Sequence, residues 1–153
     1  MNSFESLISD FANKAEISLG SASDSSVDLV VDGIDVSVQY RPDHDDCVMF
    51  TLPLGDMVPE PPMERRALEL SANGAGTGGH FLGIKEGAFV LSSVAQVSGL
   101  SAEDFASRLI ALANVMRRVA ESLVLAVAES TIDAGDSPAA KGGAVGEEPF
   151  LRV

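Results

Sequence analysis

The stretch Asn73-Gly74-Ala75-Gly76-Thr77-Gly78-Gly79 decides the fold of this chain. Its spacing, Gly74-x-Gly76-x-x-Gly79, formally matches a dinucleotide-binding fingerprint. That motif needs a strand before the glycines and a helix after them, so that pyrophosphate meets a helix N-terminus. Here the order is inverted. Pro61 and Pro62 suit a helix start, and Met63, Ala67, Leu68, Leu70 and Ala72 continue in a short helical pattern that leads into the glycines. A hairpin pattern follows: His80-Phe81-Leu82-Gly83-Ile84, the turn Lys85-Glu86-Gly87, then Ala88-Phe89-Val90-Leu91. The glycines are therefore expected to end a helix and begin a strand. Asn73 and Gly74 suit left-handed, helix-ending angles, and Gly78 and Gly79 permit a sharp turn. No nucleotide site is expected.

Beyond the hairpin, Ser101-Ala102-Glu103-Asp104 opens a long helix with an N-cap residue and two acids in the first turn. Phe105, Leu109, Leu112, Met116, Val119 and Leu123 form its apolar stripe. Ala106, Ala113, Ala120 and Val127 lie beside them, a flat strip that permits close approach to a sheet. From Ala102 to Glu129 this helix would be ~42 Å long, against ~20–25 Å for the strands, so its stripe should outreach the sheet.

Upstream, Ser3 is a candidate N-cap, and Phe4, Leu7, Ile8, Phe11, Ala12 and Ala15 give a first amphipathic helix. Val27, Leu29 and Val31 then alternate up to Asp32-Gly33, a two-residue hairpin signal. Ile34, Val36, Val38 and Tyr40 share one face of the next strand, with Asp35, Ser37, Gln39 and Arg41 on the other. Cys47 to Leu52 is a third strand, and Pro53 to Pro62 a proline-rich connection. The pattern thus reads helix, three strands, helix, two strands, helix (α-β-β-β-α-β-β-α). This is an α+β fold with an antiparallel five-stranded sheet and three helices, in one domain over residues 1–129. Residues 130–153 lack core-forming composition and are expected to be a flexible tail, with Phe150-Leu151 its only apolar pair of note.

Charge and composition bound the function. Twenty-three acidic against ten basic residues give a net charge of −13. Such a surface repels nucleic acid and anionic membrane, and favours solubility or a basic partner. No apolar run is long enough for membrane insertion, and the N-terminus carries no secretion-signal pattern. A single cysteine, Cys47, excludes an internal disulfide and fits a reducing cytoplasm. The run Asp43-His44-Asp45-Asp46 is expected to be a solvated turn, not a metal site, because adjacent loop residues rarely converge on one ion. No catalytic constellation stands out. An acidic, non-enzymatic interaction domain without cofactor or metal is the reading that physics alone supports.

Two features suggest where partners bind. The second helix spreads its apolar residues around the cylinder, and the last hairpin carries them on both faces. Met63, Leu68, Leu70, Phe81 and Phe89 are therefore the candidates for a homodimer interface. The first three strands form a meander with no further strand marked to cover the free edge. Phe4, Leu7, Ile8 and Phe11 of the first helix, with Val36 and Val38 of the early strands, are the candidate contacts for a client laid along that edge. Of these, Phe4 and Leu7 are expected to remain reachable.

An Asn after an apolar helix, then Gly76-Thr77-Gly78-Gly79, then strand, turn, strand and an acidic-started helix, resembles the Tir chaperone (CesT) family, the class I chaperones of type III secretion. Phe50-Thr51-Leu52-Pro53-Leu54-Gly55 also resembles the family pattern where the third strand ends. The resemblance covers about Phe4 to Val127. It implies a homodimeric chaperone of the bacterial cytoplasm. Such a protein binds the N-terminal segment of a secreted effector in extended form, keeps it soluble and secretion-competent, and uses no ATP. A cytoplasmic regulatory or adaptor domain of the same fold, with a non-secreted protein partner, is the alternative; a small-ligand enzyme is a weaker third reading.

Overall fold

The computed structural model describes residues 3–19 and 22–135. Helix α1 (Ser3–Ala15) leads into strands β1 (Ala22–Ser23), β2 (Ser26–Val31), β3 (Ile34–Arg41) and β4 (Cys47–Pro53). Helix α2 (Pro61–Ser71), strands β5 (Phe81–Lys85) and β6 (Ala88–Gln96), a short 3-10 turn and helix α3 (Ala102–Gly135) complete the described chain. The strands form one antiparallel sheet in the order β1-β2-β3-β4-β6-β5. The fold is α+β, as expected, but the sheet has six strands, not five. The extra one, β1, is two residues long and made of Ala22 and Ser23, too short and too polar to show alternation.

Turn chemistry sets the registers. Asp32 and Gly33 adopt φ of 50° and 80°, and Glu86 and Gly87 52° and 78°, the left-handed pairs that match the twist of a hairpin. The β2–β3 turn aligns Val27 with Val38, Leu29 with Val36 and Val31 with Ile34. Pairing then carries the same face across the sheet, from Val38 to Phe50 and from Leu52 to Leu91. This face is buried under α1 and α3, with Val36, Val38, Val48, Phe50, Leu52, Phe89 and Leu91 at most 1% exposed.

Helix α3 covers the sheet with the stripe read from the sequence: Phe105, Leu109, Leu112, Met116, Val119 and Leu123 are all buried. Phe105 meets Phe11 edge-on at 4.9 Å and Phe50 at 5.6 Å, locking α1, α3 and the sheet together. The helix has 34 residues, hence ~51 Å of length, against ~24–31 Å for β4 and β6. Its excess packs on α2. Arg66 donates to Ser122 Oγ at 3.2 Å and bridges Glu129 at 2.7 Å. The helix also runs past the boundary expected at residue 129, through Ser130 to Gly135. Thr131 Oγ1 donates back to the Val127 carbonyl at 3.0 Å, one turn earlier in the helix. The rest of the tail expected over 130–153, residues 136–153, lies outside the described residues.

The glycine-rich turn has helix α2 before it and strand β5 after it. Gly74, Gly78 and Gly79 have φ of 72°, 62° and 81°. Asn73 contributes through its side chain, Oδ1 accepting from the Ala75 N–H at 3.0 Å, and not through a left-handed backbone. Gly76 is required by contact: a Cβ there would lie 2.6 Å from Leu70 Cδ2 and 2.9 Å from the Leu70 Cα and carbonyl oxygen. The turn is thus packed against the end of α2, with no helix N-terminus offered to a phosphate.

Candidate functional site

The two candidate surfaces lie at opposite edges of the sheet. At the β1 edge, α1 rests on the sheet with the large side chains of its apolar stripe turned inward. Phe4 stacks on Tyr40 with ring centroids 5.3 Å apart and planes 3° from parallel. Phe4, Leu7, Ile8 and Phe11 are between 1% and 8% exposed, and Val36 and Val38 at most 1%. The six candidate client contacts therefore converge, but as core. The expectation that Phe4 and Leu7 stay reachable is corrected. Three turns of helix sandwiched between Tyr40 and Phe105 use every large side chain for anchoring.

A groove nevertheless runs along the flank of α1. It has a volume of about 320 Å³ and lies between the helix and β1. Phe4, Ile8, Ala12, Leu19 and Ala22 give its apolar lining and Glu5, Ser9, Asn13 and Ser23 its polar one, so that of the six candidate client contacts Phe4 and Ile8 take part. Leu7, Phe11, Val36 and Val38 do not line it. Beside the groove, β1 pairs with β2 only at Ser26 and Val27. The meander edge is therefore partly covered, which the sequence reading missed. From Asp28 to Val31 the outer edge of β2 has no strand beside it among the described residues.

At the other edge, the five candidate interface residues divide. Met63 and Phe89 are buried in the core, at 8% and 1% exposed, which corrects their placement on a surface. Helical and strand periodicity put them on the face toward α3, where the core cluster encloses them. Leu70 is partly buried against that cluster. Leu68 and Phe81 are 73% and 71% exposed. Leu68 stands on the outer side of α2, and Phe81 on the sheet face opposite the helices, paired with Ser92. Ile84 on β5 and Val94 on β6 are also about half exposed, Val94 on the same sheet face as Phe81 and Ile84 on the other. Strand β5 is also the terminal strand of the sheet.

Among the described residues the titratable groups assemble no reaction centre. His44 Nε2 lies 3.5 Å from the Asp43 carboxylate, with both side chains about 70% exposed, in the solvated turn. The Tyr40 hydroxyl donates to Asp46 at the end of that turn. Burial, and then the Arg108 charge, lower the pKa of His80. Cys47 is a buried free thiol. Among the described residues no group of three or more His, Cys, Asp or Glu could hold a metal ion, and no helix is long and apolar enough to cross a membrane.

Comparison with known proteins gives the architecture a family. A chain of the HopA1–SchA chaperone–effector complex matches with a TM-score of 0.51 at 16% identity, covering 79% of this chain and 90% of that one. One from the ExsC–ExsE complex gives 0.57 at 16% identity over 76% and 87%. A chain from the complex of the Yersinia pestis type III secretion chaperone SycH with a stable fragment of YscM2 gives 0.53 at 14% identity over 80% and 98%. At such identities these likenesses establish the fold alone. No curated protein matches the sequence. The model of the Tir chaperone protein family, however, matches residues 6–120, or 115 of the 153 residues. The chain belongs to the Tir chaperone protein (CesT) family.

Proposed function

We propose that this protein is a type III secretion chaperone of the bacterial cytoplasm. It acts as a homodimer that binds the N-terminal chaperone-binding segment of a secreted effector and keeps it soluble and secretion-competent. It is not an enzyme and uses neither ATP nor any other cofactor. The observation that carries this reading is the incompletely covered β1–β2 edge beside the apolar groove of α1, in a chain of this family. An extended client can add its backbone to such an edge, gaining hydrogen bonds there and selectivity from side chains set in the groove. The net charge of −13 speeds encounter with basic clients and repels nucleic acid. Self-association draws on the other edge, where Leu68, Phe81 and Ile84 are exposed.

The test is calorimetry against the N-terminal fragment of an effector encoded beside this protein. Ala12→Asp puts a charge in the groove wall while leaving Phe4, Leu7, Ile8 and Phe11 in place, and should weaken binding at least about tenfold. Ser9→Trp, at an exposed position, blocks the groove by bulk and serves as the second variant. Circular dichroism verifies that each variant is folded. Folded variants that bind like wild type would place the client elsewhere. A wild-type protein that binds no neighbouring effector would overturn the chaperone reading.

A further inference from the structure

A larger groove lies at the far end of β2, away from β1. It has a volume of about 760 Å³ and opens between the β2–β3 turn, the connection after β4 and the middle of α3. That volume falls within the roughly 300–1,000 Å³ of clefts that take ligands, although this one is an open groove. Its apolar lining comes from Leu54, Met57, Val58, Met63, Met116 and Val124. Val58 and Val124 are 75% and 53% exposed. Three of the five methionines in the sequence meet here. Methionine is unbranched and flexible, so such a wall adapts to different apolar side chains.

The rim is acidic. Asp35, Asp56 and Glu60 line the groove, and none has an ion pair or side-chain hydrogen bond among the described residues. Arg117, the one cation that lines the groove among the described residues, is already engaged. It lies 3.6 Å from the Asp32 carboxylate and donates to the Asp32 carbonyl at 2.9 Å and to Asn114 Oδ1 at 3.2 Å. An apolar wall with three unpaired carboxylates above it matches a segment that carries hydrophobic side chains beside a positive charge.

Position ties this groove to the sheet edge. Six residues of β2 span ~20 Å from its pairing with β1 to Asp32-Gly33. A client strand continuing along the unpaired edge from Asp28 to Val31 arrives at Gly33 and Ile34, which line the groove. We infer that this methionine-lined groove is a second client subsite, which takes an extended peptide segment bearing adjacent apolar residues flanked by lysine or arginine. The inference rests on the effector-binding reading and adds the chemistry of the client.

The probe is a short synthetic peptide with two leucines flanked by two lysines, set against the same peptide with glutamates for lysines. Methyl-labelled methionine gives the readout by NMR on the full chain. The lysine peptide should shift Met57, Met63 and Met116 saturably, leave Met49 on the opposite sheet face unmoved, and bind about tenfold tighter than the glutamate peptide at low salt. The Asp56→Asn, Glu60→Gln double variant should shrink that preference to about twofold. Glu60 makes no side-chain cap bond, so this variant keeps the start of α2 intact. Val58→Asp, at an exposed position, should weaken apolar contact without unfolding.

Equal affinity for the two peptides, or shifts that miss the three groove methionines, would overturn the inference. So would unperturbed binding by Val58→Asp. Groove resonances that move on dilution would assign the surface to a second copy of this chain. Resonances that move when Phe150 and Leu151 are changed to Asp, with no peptide present, would assign it to the chain's own 136–153 segment. An effector that binds through the α1 groove but is indifferent to Val58→Asp would sink this subsite alone. A wild-type protein that takes the peptide yet binds no effector would sink the chaperone reading alone.

Discussion

Replacing Leu68 and Phe81 together with aspartate separates self-association from folding. In the single chain these side chains are 73% and 71% exposed, so the substitution removes almost no intrachain packing. Its direct effect on chain stability, at about 0.5 kcal/mol for each of two surface substitutions, should stay within about 1 kcal/mol. In a symmetric dimer each side chain occurs twice. Covering the exposed seven-tenths of each contributes roughly 1–2 kcal/mol, hence about 4–8 kcal/mol over four side chains. At a factor of ten per 1.4 kcal/mol, the dimer should weaken by roughly three to six powers of ten. Light scattering behind size exclusion at low micromolar concentration should give wild type at twice the 15.9 kDa chain mass and the variant at one chain. A control comes from the core residues. Phe89→Ala should cost about 3–5 kcal/mol of folding stability, because Phe89 is 1% exposed within one chain. A double-aspartate variant that remains dimeric would refute this interface, and a monomeric wild type would refute self-association altogether.

Other substitutions test the fold that presents these surfaces. Gly76→Ala drives a Cβ into the backbone of Leu70 and should destabilise by about 1–3 kcal/mol, whereas Gly83→Ala enters open space and should stay within about 0.5 kcal/mol. Calorimetry with ATP or NAD should give no saturable heat for wild type; saturable binding lost on changing Gly76 or Gly79 would restore the nucleotide reading. At the start of α3, Ser101 Oγ donates to Asp104 Oδ2 at 2.7 Å and accepts from the Asp104 N–H at 3.1 Å. The side-chain bond to Ser101, and then the Ser101 N–H, lower the Asp104 pKa. A carboxylate with a lowered folded pKa stabilises fully above its unfolded value, near 3.9, and the effect fades as pH falls through the lowered one. The melting-temperature gap between wild type and Asp104→Asn should therefore be open at pH 7 and close below about pH 4. A chain ended after Gly135 should keep its melting temperature and dimer mass, since among the described residues the buried apolar side chains run from Phe4 to Ala126; a fall of many degrees would mean that residues beyond 135 pack on the domain.

Periodicity made most of the fold legible. Alternation from Val27 to Tyr40, the Asp32-Gly33 and Glu86-Gly87 turns, and the stripe from Phe105 to Leu123 each have one stable solution, and the structure adopts it. The misses have physical causes. Strand β1 is too short for a period. The extension of α3 from Ser130 to Gly135 follows from a helix already formed and packed on α2, since adding turns to an existing helix is easier than starting one. The candidate surfaces were legible as regions more than as residues. A pattern tells which face of an element is apolar, but not which of those residues a second layer covers. Phe4 is lost to Tyr40 and Phe89 to the core, while Leu68 and Phe81 remain outside. The methionine-lined groove had no local signal, because Met57, Met63 and Met116 are brought together only by the packing of α3.

Native mass spectrometry of the protein co-expressed with the N-terminal fragment of a secreted effector encoded beside it tests the central claim most directly. A dimeric, ATP-independent chaperone should give a complex of two copies of this chain with one client, formed without nucleotide and lost in the Ala12→Asp variant. No complex with any such fragment, or one that forms only when ATP is supplied, would contradict it.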